Sequence, residues 1–120
     1  MADDGPPSFD PAEAMRQVGD DAALLREVME LFILDTPKRE ADVRMAVEKR
    51  DPQLLERAAH TIKGSCVIFG AGPTRDAAHR LEMMGRVGSF EGAAESLALL
   101  SKEAARLTLD LRTYLDAPRA

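Results

Sequence analysis

The chain has no tryptophan, one tyrosine, four phenylalanines and a single cysteine among 120 residues. Aromatic residues are enriched in strands, so their scarcity argues against a sheet protein. The abundance of Ala, Leu, Met, Glu and Arg favours helices. One cysteine cannot form an internal disulfide, which points to a reducing compartment. No apolar run approaches the roughly 20 residues that a membrane span needs. The start, Met1-Ala2-Asp3-Asp4-Gly5-Pro6-Pro7, lacks the basic and apolar regions of a signal peptide, so a cytoplasmic protein is expected. A net charge of −5 gives no electrostatic reason to bind nucleic acid, whose affinity comes largely from neutralising phosphates. There is no internal repeat, no low-complexity tract and no Gly-rich nucleotide loop, so neither ATP binding nor self-phosphorylation is expected.

What is present reads as one all-α domain, long enough to bury a single core without metal or disulfide. Asp10 followed by Pro11 gives an N-cap and first-turn proline for a short opening helix. Leu24, Leu25, Val28, Leu31 and Phe32 then repeat at helical spacing, and Pro37 is expected to kink or break that helix. Asp51-Pro52 repeats the start signal, and Gly70 should end the helix near Phe69. A further helix is expected from Pro73 to about Arg86, weakened at its end by Gly85 and Gly88. The last helix should be capped by Ser89 and bury Leu97, Leu100, Ala104, Leu107, Leu111 and Tyr114. Short connections make neighbours antiparallel. The expected architecture is an up-and-down four-helix bundle with a short extra N-terminal helix, over 9–116, between flexible segments 1–8 and 117–120. Each long helix has one apolar stripe, so a monomer is expected, and the starting Met1 and polar tail favour a free-standing protein.

The third helix carries the informative segment. Leu55, Ala58, Ala59, Ile62, Cys66 and Phe69 share one stripe, and His60 projects about 150° from its centre. Cys66 then reads as a small buried hydrophobe, and Met83-Met84 has the spacing of core packing. Beside His60 lie Glu56, Lys63, Gly64 and Val67. Glycine in a helix interior costs about 1 kcal/mol against alanine, and Val67 exposes a branched apolar side chain. A partner surface accounts for both.

The pattern His60-x-x-Lys63-Gly64, closed by Phe69-Gly70, resembles the histidine phosphotransfer (HPt) domains of bacterial multistep phosphorelays. The resemblance runs from Leu31-Phe32 through Asp51-Pro52 to Leu81-Glu82 and the final leucine-rich helix, covering nearly everything after about position 18. It implies that His60 is the phosphorylated nucleophile. Imidazole, with an unperturbed pKa of about 6.5, is a competent nucleophile near neutrality. A carboxylate on Nδ1 would fix the tautomer that leaves Nε2 free. Glu82 lies about 110° from the core stripe of its own helix, 22 residues after His60, where relatives often supply a carboxylate or carboxamide. The resemblance further implies that Lys63 neutralises phosphate charge, that Gly64 keeps the approach open, and that Val67 and Ile68 contribute to docking.

His79-Arg80-Leu81-Glu82 is locally similar to the His-x-x-Glu of chemotaxis kinase P1 domains, which makes His79 a possible neighbour of the site. The chain departs from those domains in Ser65-Cys66-Val67 after the glycine. The implied partners are response-regulator receiver domains and a hybrid or sensor histidine kinase. No cofactor is expected on this chain, Mg²⁺ belonging to the receiver. The alternatives are a receiver- or kinase-docking module without chemistry and a metal-bridged bundle, which needs Glu-x-x-His motifs that do not occur here.

Overall fold

Among the described residues, three of the five helices begin on the same device. In the computed structural model, which describes residues 5–117, the carboxylates of Asp10, Asp21 and Asp51 accept the backbone N–H of Glu13, Leu24 and Leu54. Such a cap satisfies one of the amide donors that a helix start leaves unpaired. These caps open α1 (Pro11–Gln17), α2 (Ala22–Lys49) and α3 (Pro52–Phe69). Two further helices follow, α4 (Gly72–Val87) and α5 (Ala93–Asp116).

The four long helices form a closed ring in which α3 packs on α2 and α4, and α5 on α4 and α2. Connections of only a few residues force sequential neighbours antiparallel. The centre is filled by aliphatic side chains, among them Leu25, Leu55, Ile62, Leu81 and Leu107, all essentially inaccessible. Phe32 and Phe69 meet edge to face, ring centroids 5.4 Å apart, an arrangement aromatic quadrupoles favour. Cys66 is wholly buried, and burial pushes its thiol up to about 12, which leaves it an inert packing group.

Gly70 ends α3 in the left-handed region at φ 59°, where a side chain would be strained and would also press on Asp10. The Asp10 amide donates to the Phe69 carbonyl at 2.9 Å, so α1 closes over the end of α3. Ahead of α1, the Ser8 hydroxyl donates to Asp110 at 2.6 Å and Phe9 packs on Tyr114. Of the tails expected at 1–8 and 117–120, residues 1–4 and 118–120 lie outside the described residues.

Several sequence expectations are corrected. α2 runs unbroken through Pro37, because one missing amide is a local loss that packing along the rest of a 28-residue helix outweighs. Ser89 does not cap α5; Gly92 stands at the N-cap without a side-chain bond, and the Ser89 amide instead donates to Met84 at the close of α4. Leu31 and Leu24, expected on the buried stripe of α2, are 64% and 40% exposed, since the stripe that meets both neighbours runs through Leu25, Met29 and Phe32. Met83 faces outward while Met84 packs partly against the core. Among the described residues no helix is long and apolar enough to cross a membrane.

Candidate functional site

His60 stands on the outer face of α3 with 65% of its side chain exposed, eight residues into a regular helix capped by Asp51. Its Nδ1 lies 2.8 Å from Glu82 Oε2 on α4. That carboxylate is the polar centre of the site. Although the periodicity of α4 placed it on a flank, Glu82 is 1% exposed, because α3 and α4 approach closely enough to cover the flank.

A buried carboxylate is costly unless it is paired, and here two cations and two imidazoles surround it. Lys63 Nζ sits 2.7 Å from Oε1, Arg86 Nη2 3.3 Å from Oε2, and His79 Nδ1 3.8 Å from Oε1. Burial opposes the charge of Glu82, but the hydrogen bonds from Lys63 and His60 and the charge of Lys63 outweigh it and hold the carboxyl below its ordinary 4.5. An ionised carboxylate accepts and cannot donate. The proton between the two groups therefore belongs to His60 Nδ1, which leaves the lone pair on Nε2, the nitrogen turned away from Glu82.

The lowered carboxyl sets a sign for pH dependence. A group whose pKa falls on folding stabilises fully above its unfolded value, and that contribution is lost as pH drops through the folded value. The difference in urea stability between the wild type and Glu82→Gln is expected to shrink as the pH falls below about 4.5. A difference that grows below that pH would contradict the ion-paired carboxylate.

The other residues singled out from the sequence are distributed as follows. Lys63 is in the site, with its ammonium on Glu82 rather than free in solvent. Gly64 opens onto space, since a Cβ built there meets nothing within 4 Å. Val67 is 50% exposed. Ile68 is half-buried at the wall of a groove of about 260 Å³ between α2 and α3, to which Leu31, Asp35, Arg39 and Ser65 also contribute. His79 is close to Glu82 but beyond hydrogen-bond distance. On the other side of His60 a shallow cleft of about 320 Å³ is lined by Gln53, Glu56, Arg57, Glu82 and Arg86.

Sequence reasoning placed Glu56 beside His60 but missed Arg86, and with it the role of Glu56 as its partner. Arg86 entered the sequence reading as the approximate end of its helix. It holds Glu82 and at the same time donates from Nε to Glu56 on α3 at 3.1 Å. The i, i+4 spacing was legible, whereas the link across to α3 has no signal within one helix.

The described helices form an antiparallel bundle that presents an exposed imidazole, oriented through Nδ1 by a buried carboxylate of the next helix. The sequence profile of the Hpt domain matches residues 27–117, and the chain belongs to that family, whose members are phosphocarrier modules of histidine phosphorelays working with histidine kinases and receiver domains.

The fold is similar to that of histidine-containing phosphotransfer protein B from Pseudomonas aeruginosa PAO1, with a TM-score of 0.86 and 21% identity over 96% of this chain and 100% of that one. It is similar also to the HPT domain of a sensor hybrid histidine kinase from Shewanella, with a TM-score of 0.81 and 14% identity over 94% of this chain and 97% of that one. No curated protein sequence matches the chain significantly.

Proposed function

We propose that His60 accepts a phosphoryl group from the phospho-aspartate of one receiver domain and passes it to the aspartate of another. In the first half, the Nε2 lone pair attacks phosphorus, the N–P bond forms, and the P–O bond to the aspartate breaks with its electrons leaving on the carboxylate. The Nδ1 proton stays on the ring and bridges to Glu82, so the positive charge that develops on imidazole faces a buried anion. The second half reverses these bonds on the acceptor's carboxylate. The observation that carries the reading is the 2.8 Å contact of Nδ1 with Glu82, which leaves Nε2 as the exposed nucleophile.

Lys63 is the cation available to the roughly two negative charges of the phosphoryl group. It lies one turn from His60, and its flexible stem can carry the ammonium from Glu82 toward Nε2. Gly64, Val67 and Ile68 are the docking residues. They lie on the exposed part of α3 around and beyond His60, where absence of a side chain at Gly64 lets a partner come close, and the apolar Val67 can be covered on binding. Receiver domains bring their own acidic pocket and Mg²⁺, so this chain is proposed to act without metal or nucleotide and without kinase activity of its own. It is further proposed to work as a cytoplasmic monomer.

The test is transfer of radiolabel from a phosphorylated receiver, with Mg²⁺ present, to the purified protein. Acid-labile, base-stable label on this chain, discharged when a second receiver is added, is the expected result. Binding to a broad panel of receivers with no transfer from any would replace the relay by a docking module.

A further inference from the structure

Glycine is a poor helix former, and Gly85 lies inside α4, three residues after Glu82 and one full turn before Gly88, the residue that ends the helix. A Cβ built on Gly85 would lie 2.5 Å from the Glu56 nitrogen and 2.7 Å from the Pro52 carbonyl oxygen. Both are backbone atoms of α3 and cannot swing aside. At this point α4 rests directly on the α3 main chain.

The position of that contact matters. On α3, Glu56 precedes His60 by four residues; on α4, Gly85 follows Glu82 by three. The two helices are antiparallel, so the backbone contact and the His60–Glu82 hydrogen bond are successive turns of one crossing. Arg86 ties the same turn by reaching both Glu56 and Glu82. We infer that Gly85 is a positioning residue: by letting α4 seat against the backbone of α3 at Glu56, it sets the helix spacing at which the Glu82 carboxylate reaches His60 Nδ1.

A methyl group at position 85 needs about 3.5 Å from those backbone atoms, so α4 must move outward or rotate by about 1 Å. A 2.8 Å bond on the next turn then passes beyond hydrogen-bond distance. The consequence for transfer rests on the phosphotransfer reading, whereas the consequence for the imidazole does not.

The experiment compares wild type with Gly85→Ala by ¹⁵N NMR of the histidine ring and by rate of phosphoryl acceptance from a receiver. Wild type should hold His60 with its proton on Nδ1, and Gly85→Ala should show a mixture of tautomers. Acceptance should fall about 10-fold, with little further loss when the same change is made in a Glu82→Ala background. Ala104→Gly on α5, a buried helix site away from His60, should weaken the fold while leaving tautomer and rate alone. A folded Gly85→Ala with the wild-type tautomer, or a loss that adds in full to that of Glu82→Ala, overturns the inference.

If Gly85→Ala does not fold, Glu82→Asp decides. It shortens the reach by one methylene and should release Nδ1 in the same way, while a wild-type tautomer there would mean that helix spacing does not limit the contact. The ring spectrum is read without any receiver, so a positioned imidazole in a protein that accepts no phosphate separates failure of the relay from failure of this inference.

Discussion

His60→Gln is expected to accept no label from a phospho-receiver while remaining folded and still binding it. Glutamine offers no nucleophilic ring nitrogen, and nothing else in the site replaces it. The second histidine, His79, stands 3.8 Å from Glu82 Oε1, too far for the hydrogen bond that fixes the tautomer. The change sits on an exposed face, and Lys63 and Arg86 continue to pair with Glu82, so the fold is expected to persist. His79→Gln, by the same geometry, should keep most of the transfer rate. Label retained by His60→Gln, or lost in His79→Gln, would reassign the acceptor.

Glu82→Ala is expected to lower the rate of acceptance about 10- to 100-fold, the scale on which losing the carboxylate partner of a metal-binding imidazole acts. Receiver binding should change little, since Glu82 is buried and Val67, Gly64 and His60 itself form the exposed face. Glu82→Gln retains an acceptor oxygen for Nδ1–H but not the charge that steadies a developing imidazolium, so its loss should be smaller. A larger loss for glutamine than for alanine would mean that the carboxylate acts otherwise than through Nδ1. Loss of receiver affinity matching the loss of rate would move Glu82 from chemistry to docking.

Much of this arrangement was legible because it is written locally. Asp10 and Asp51 before prolines signal helix starts through contacts three residues long, and all of α3, including the outward His60 and the buried Cys66, follows from its period. What crossed between helices was not legible. Glu82 looked like a flank residue on its own helix, and only the close seating of α4 on α3 buries it. Leu31 fitted the stripe of α2 by spacing, yet the two neighbours of α2 meet it along Leu25, Met29 and Phe32. Pro37 carried the right local signal for a break, and tertiary packing overrode it. Gly85 was read as a weak helix end, although the reasoning applied to Gly64, that an interior glycine needs a reason, pointed to it as well. The two glycines differ in what they face: solvent at Gly64, the α3 backbone at Gly85.

With Glu82 holding His60 through Nδ1, Nε2 is the atom expected to carry the phosphoryl group. The decisive measurement is ³¹P–¹⁵N coupling in the uniformly ¹⁵N-labelled protein, phosphorylated by a receiver and held at alkaline pH. The expected result is a single phosphoramidate whose one-bond coupling runs to His60 Nε2, with Nδ1 still protonated. Coupling to Nδ1, or to a nitrogen of His79, would contradict it.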